Sequence, residues 1–88
     1  MHYEHDPAKL AANVARHRVW FHEAESFEWE TAVIELDDRK RYGETRFRAM
    51  GYIGLRLYVM VFTLRDTAVR LISLRKANPR EVKRYAQT

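Results

Sequence analysis

The 88-residue chain contains no cysteine, so neither a disulfide framework nor a thiolate zinc site is available to it. Its three glycines are scattered at Gly43, Gly51 and Gly54, which excludes a phosphate-binding or dinucleotide-binding glycine motif. The longest apolar run lies between Arg56 and Arg65 and is far too short for a membrane span. The first residues also lack the pattern of a secretory signal. We therefore expect one domain over residues 1–88, with a cytoplasmic location and no membrane association.

The sequence contains no pattern typical of a metal site or of a catalytic serine. The histidines show no metal-binding spacing, and two of them lie in an N-terminal segment that we expect to be frayed; they are His2, His5, His17 and His22. We therefore expect no metal and no cofactor. Neither Ser26 nor Ser73 lies in a strand-turn-helix elbow, which argues against a serine hydrolase. His17 follows Leu10 at helical spacing and faces inward, either as a hydrogen-bonded core residue or as an acid–base group.

The charge is strongly divided along the chain. Residues 1–38 carry nine acids and three bases, whereas residues 39–88 carry thirteen bases and three acids. A basic half of this kind attracts a polyanion, although a solvated surface is the alternative interpretation. Three acids cannot balance thirteen bases, so the remaining balance has to come from the acidic helices, an acidic partner or phosphates.

The secondary-structure pattern predicts an α+β fold. Asp6-Pro7 begins a helix that should run to about Arg18, and a second short helix should hold Phe21, Ala24 and Phe27 inward. Alternating β-branched and apolar residues then predict strands over 31–36, 45–50, 55–64 and 69–76. A capping pattern at residues 78–81 starts a terminal helix. We therefore expect two N-terminal helices, an antiparallel sheet of about four strands and a C-terminal helix. Strict alternation would place Arg70 and Arg75 on opposite faces of the last strand.

Several short motifs, taken in order, are similar to those of the BrnT toxins of bacterial type II toxin–antitoxin modules. The shared residues are Asp6-Pro7-Ala8-Lys9 with Asn13 and His17, Phe21 with Glu23-Ala24, Asp38-Arg39, Tyr42-Gly43-Glu44-x-Arg46, Val61-Phe62-Thr63-x-Arg65, Arg70-Leu71-Ile72-Ser73-x-Arg75-Lys76-Ala77, Glu81 and Tyr85. The chain departs from the usual pattern at Arg18, where the family often has glycine, and at Leu74, where alanine is common.

The resemblance implies a RelE-like fold and an endoribonuclease that arrests translation. It also implies neutralisation by a BrnA-type antitoxin, whose ribbon-helix-helix part would bind operator DNA on behalf of the complex. We expect two toxins held by one antitoxin dimer. The alternative is a non-catalytic nucleic-acid-binding or protein-interaction domain that uses the same basic face.

Cleavage of RNA without a metal can use the substrate's own 2′-hydroxyl as the nucleophile, provided that a base, an acid and cations are present. We assign phosphate and transition-state stabilisation to Arg46, Arg65 and Arg75, because guanidinium groups match phosphoryl oxygens. The acid–base candidates, in order, are His17, Glu44 and Tyr85. Further contacts to RNA are expected from the remaining bases of the second half, namely Lys76, Arg70, Arg48, Lys83, Arg84 and Arg39.

Overall fold

The computed structural model describes all 88 residues and contains one five-stranded mixed sheet with the order β1-β5-β4-β3-β2. The strands are β1 (Tyr3–His5), β2 (Val33–Leu36), β3 (Phe47–Ile53), β4 (Arg56–Arg65) and β5 (Ala68–Lys76). The helices are α1 (Pro7–His17) and α2 (Pro79–Ala86), with 3₁₀ segments at Phe21–Ser26 and Trp29–Thr31. No helix is long and apolar enough to cross a membrane.

The prediction of two N-terminal helices followed by about four antiparallel strands is wrong. The chain begins with a strand and has one N-terminal α-helix, and the sheet has five strands. The expected frayed N-terminus is instead β1, which pairs in parallel with β5 and makes the sheet five-stranded and mixed. The Trp29 indole donates to the Tyr3 hydroxyl at 2.7 Å and fixes this strand to the rest of the chain. Such a short strand depends on contacts more than sixty residues away, so it leaves no local pattern in the sequence.

The predicted second helix is also wrong, because the segment forms two short 3₁₀ turns. Phe21, Ala24 and Phe27 recur every third residue, which matches the three residues per turn of a 3₁₀ helix. All three side chains are buried against the sheet. The inward residues were therefore identified correctly, but the helical type was not.

The boundaries of both α-helices follow the capping signals. The Asp6 side chain accepts a hydrogen bond from the Ala8 amide at 2.8 Å, and α1 ends at Arg18, whose φ of 60° is left-handed. Left-handed geometry explains why glycine suits this position. At α2, Asn78 and Glu81 exchange side-chain-to-backbone hydrogen bonds in a reciprocal capping box. These two helix starts confirm the sequence prediction.

The sheet has two unequal faces. The core face packs under α1 and the 3₁₀ segments and carries the fully buried Met60, Leu71 and Leu74. The opposite face, called here the open face, is covered by α2 only at one end. There Met50, Leu57 and Val59 pack with Ala77 and Tyr85.

A β-bulge in β5 changes which side chains reach the open face. Val61 of β4 pairs with Ser73, but the next residue, Phe62, pairs with Leu71, so Ile72 has no partner. Because the alternation is interrupted there, Arg70 and Arg75 project from the same face. The prediction that they lie on opposite faces is therefore wrong.

Asn13 holds α1 against the part of β5 that β1 does not cover. Its buried side chain donates to the carbonyl oxygens of Val19 at 3.0 Å and Leu74 at 2.8 Å, and accepts from the Leu74 amide at 3.0 Å. The amide thus satisfies the edge of β5 as a neighbouring strand would. This contact sets the distance between the last turns of α1 and the strand that carries Ser73 and Arg75.

Candidate functional site

The strand register brings several predicted site arginines together on the open face. Arg48 of β3 and Ser73 of β5 flank Val61, while Arg70 pairs with Thr63 and Arg75 pairs with Val59. The α2 helix adds a further guanidinium beside them. We call this set the arginine face; its members are Arg48, Arg70, Arg75 and Arg84.

Carboxylates from the outer strands fix three members of the arginine face. Glu35 of β2 accepts from Arg48 at 2.7 Å and from Arg84 at 3.2 Å. At the other side of the sheet, Glu4 of β1 accepts from Arg70 at 3.2 Å. Arg65 approaches the same Glu4 oxygen only at 3.9 Å and has a side chain that is 60% exposed, so it lies at the rim.

Arg75 makes the most regular pair of the site. Its two terminal nitrogens donate to the two Glu81 carboxylate oxygens at 2.7 and 2.8 Å. This bidentate contact, opposed in part by burial and aided by the Asn78 amide, lowers the pKa of Glu81 to about 2. Glu81 is therefore ionised near neutral pH, and it orients Arg75 while also capping α2.

Arg46 and Arg39 belong to the loop between β2 and β3 rather than to the arginine face. Arg46 donates to Glu44 at 3.0 Å, and its guanidinium stacks 4.0 Å from the centre of the Tyr42 ring. Arg39 donates twice to the buried Asp37, at 2.7 and 3.0 Å, and these bonds lower the pKa of the Asp37 carboxyl. This loop is therefore ordered by its own charged groups.

The three acid–base candidates occupy different surroundings. Burial, together with the charges of Arg16 and Arg75, lowers the pKa of His17 and favours its neutral imidazole. The Glu44 carboxylate is engaged by Arg46, as described above. The Tyr85 hydroxyl donates to the Thr31 carbonyl at 2.7 Å and anchors α2 to the segment before β2.

Two of the predicted RNA-binding cations do not join the arginine face through ion pairs. Lys76 follows Arg75 in β5 and, by the pleat of the strand, points to the other face, opposite Tyr58. Lys83 is exposed on α2 and has no carboxylate within 4.0 Å.

No three His, Asp or Glu side chains are grouped as potential metal ligands.

A protein-family model described as "Ribonuclease toxin, BrnT, of type II toxin-antitoxin system" matches residues 5–81. The chain belongs to the BrnT family. A search of curated proteins finds no match. The BrnT match contains Arg48, Arg70 and Arg75 of the arginine face and also the Glu81 that orients Arg75. It ends before Lys83, Arg84 and Tyr85.

Two charged residues that were not predicted as site residues lie together in a cleft beside β5. Lys9 and Arg16 line a cleft of about 210 Å³ with His17, beside Ser73 of β5. Their spacing supplied a signal, because Lys9 lies seven and eight residues before Arg16 and His17, close to two helical turns. The basic residues of the second half dominate the charge pattern and obscure this signal.

Proposed function

We propose that this BrnT toxin is an endoribonuclease that cleaves RNA through attack of the substrate's own 2′-hydroxyl, without a metal ion. The observation that carries the proposal is the arginine face, where four guanidinium groups are oriented by Glu4, Glu35 and Glu81. Each guanidinium has five N–H donors, and Arg75 uses two for Glu81. One further Arg75 donor lies 3.4 Å from the Lys76 carbonyl oxygen. The others are available to phosphoryl oxygens in positions that are fixed before RNA binds.

The proposed chemistry divides the roles among cations and proton carriers. Arg75 stabilises the charge that builds on the phosphoryl oxygens, with Arg46 and Arg65 approaching from the loop and the rim. His17 takes the proton of the 2′-hydroxyl, since the lowered pKa keeps its imidazole neutral. Tyr85 is the proposed donor to the leaving 5′-oxygen once its hydroxyl turns from the Thr31 carbonyl, since the Glu44 carboxylate accepts a hydrogen bond from Arg46.

The experiment that tests this chemistry compares RNA with a matched strand that carries a single 2′-deoxy nucleotide at the cleavage position. We expect the deoxy strand to resist cleavage and the RNA products to end in a 2′,3′-cyclic phosphate. Cleavage should persist in excess chelator. Loss of activity in chelator, with recovery on adding a divalent cation, would contradict the metal-independent route.

Membership of a type II toxin family implies an antitoxin partner. We propose that a BrnA-type antitoxin covers the arginine face and α2, with two toxins on one antitoxin dimer and operator DNA bound only through the antitoxin. Exposed apolar side chains at this end support such a contact: Leu55 is fully exposed and Val82 is 41% exposed, and both line a cleft with Tyr52. Mass measurement of the complex tests the stoichiometry, and protection of Arg75 from arginine-specific modification tests the occlusion. An Arg75 equally reactive in the complex would contradict direct coverage.

The ion pairs of the arginine face also fit a second function, that of a non-catalytic binding domain. Arg48, Arg70 and Arg75 are each partly neutralised by a carboxylate, so the face can bind without acting as a catalyst. A strand-break assay on purified protein separates the two functions. RNA that is bound but left intact would favour the second.

A further inference from the structure

A cleft between α1 and β5 lies outside the arginine face. It is lined by Lys9, Asn13, Arg16, His17 and Ser73, together with Ala12 and Ile72. The cleft exists because β1 pairs with β5 only as far as Leu71, so the edge of β5 is uncovered where the bulge begins. Asn13 closes the floor by bonding the Leu74 backbone, which leaves the cationic side chains of α1 around the opening.

The charge in this cleft differs from that of the arginine face because no carboxylate balances it. Seven of the sixteen Lys and Arg residues form an ion pair, and neither Lys9 nor Arg16 is among them. His17 adds a neutral imidazole that can donate a hydrogen bond, and Ser73 adds a hydroxyl. Solvent screens these exposed cations, and an anion bound between them would gain from both charges.

Lys9 has no evident role in stabilising the helix that carries it. It lies in the first turn of α1, which has no acidic residue, and a cation there opposes the helix dipole. Arg16 and His17 lie in the last turn, where the dipole favours cations. Lys9, whose position destabilises the helix, therefore lines the same cleft as Arg16 and His17, whose positions stabilise it. Binding of an anion in the cleft would offset the unfavourable position of Lys9 in the helix.

We propose that the cleft binds a backbone phosphate of the RNA substrate, one that neighbours the phosphate held on the arginine face. The proposal rests on the proposed ribonuclease function and adds a second subsite to it. The two sites meet at the uncovered edge of β5, since Ser73 lines the cleft and Arg75, two residues further along the same face of the strand, belongs to the arginine face. Burial and, to a smaller extent, the charges of Arg16 and Arg75 lower the pKa of His17. An RNA strand would pass over the edge from one subsite to the other.

The test measures binding of a 2′-O-methyl RNA, which cannot be cleaved through its 2′ position, to the full chain and to the variants Lys9→Ala and Arg16→Ala. Both side chains are exposed, so the variants should fold. We expect roughly tenfold weaker binding for each at low salt. The slope of log affinity against log salt should also become shallower by about 0.7 for one lost phosphate contact. The matched control is Arg56→Ala, which removes an exposed and unpaired cation from the first residue of β4 and should bind as the parent does.

The arms of the experiment separate the possible sources of the anion. If Lys9→Ala and Arg16→Ala bind the RNA as tightly as the parent and with the same salt slope, the proposal is overturned. If inorganic phosphate alone shifts the His17 resonances as fully as RNA does while the variants keep parental RNA affinity, the cleft binds a free anion, which also overturns it. If only antitoxin binding weakens, the cleft contacts the partner instead of RNA.

Failure of the proposed ribonuclease function would look different. In that case the parent would leave unmodified RNA intact, but the two variants would still show weaker binding and a shallower salt slope. That outcome would support the phosphate site and reject the cleavage chemistry. Weaker cleavage of RNA at low concentration together with weaker binding of the 2′-O-methyl RNA would support both.

Discussion

Replacement of Asn13 by alanine tests how α1 is held on the sheet. The substitution removes three hydrogen bonds, to the Val19 carbonyl and to both backbone groups of Leu74, at a residue that is only 4% exposed. A buried polar group that loses its partner costs about 1–3 kcal/mol. Because water can reach part of this region once the side chain is gone, we expect a total loss of about 3–5 kcal/mol. That is a large fraction of the stability of a small domain.

The assay is urea unfolding followed by far-ultraviolet circular dichroism, with Arg16→Ala as the matched control. Arg16 lies in the same helix but is exposed, so its truncation should change the free energy of unfolding by no more than about 0.5 kcal/mol. A loss below about 1 kcal/mol for Asn13→Ala, similar to the control, would refute the argument that this amide replaces a missing strand at the edge of β5.

Three further changes test the packing, the ion pair and the helix end. Gly51→Ala should destabilise the fold by about 1–3 kcal/mol, because its Cβ would lie 2.5 Å from a Phe27 ring carbon; an unchanged urea midpoint would contradict this contact. Glu81 has its pKa lowered from 4.5 to about 2, chiefly by Arg75, so its pair stabilises the fold above pH 4.5 and is lost as the pH falls towards 2. The stability difference between the parent and Arg75→Ala should therefore be largest near neutral pH, at most roughly 3 kcal/mol, and should shrink below pH 4; a difference independent of pH would refute the pair. Arg18→Gly should raise the stability by about 0.5–1 kcal/mol in a thermal melt by relieving a left-handed residue, and a lower melting temperature would contradict that account.

Several elements of this fold could be predicted from short segments, because the hydrogen bonds that start each helix join residues only two or three positions apart. The cap at Asp6 and the reciprocal box of Asn78 and Glu81 are of this kind, and both helix starts were predicted correctly. The 3₁₀ segment after α1 was predicted as a helix since its buried residues repeat at a spacing close to that of either helical type. The bulge at Ile72 could not be predicted, because it depends on which residues of β4 and β5 pair.

The site was predictable in residue type more than in arrangement. The basic second half predicted Arg48, Arg70 and Arg75 as site residues, and the structure places all three on one sheet face. The carboxylates that orient them come from β1, β2 and α2 and not from the acidic residues of the 3₁₀ segments. Glu4 reaches Arg70 only because a distant strand pairs in parallel, a relation that no spacing in the sequence encodes. For the same reason the cleft at Lys9 was missed, since it forms where β1 leaves β5 uncovered.

The central claim is that the arginine face cleaves RNA, and its most direct test is the rate of cleavage per folded molecule by Arg75→Ala. The folded fraction is taken from a urea or thermal melt, since loss of the Glu81 pair also lowers stability. We expect the rate to fall about a hundredfold or more, equivalent to roughly 3 kcal/mol of transition-state stabilisation. Arg46→Ala should act in the same direction, and the double variant should lose less than the sum of both. Arg56→Ala should cut at the parental rate. If Arg75→Ala also cuts at the parental rate, the arginine face is not the catalytic site, and the same result for Arg46→Ala would exclude the loop arginine.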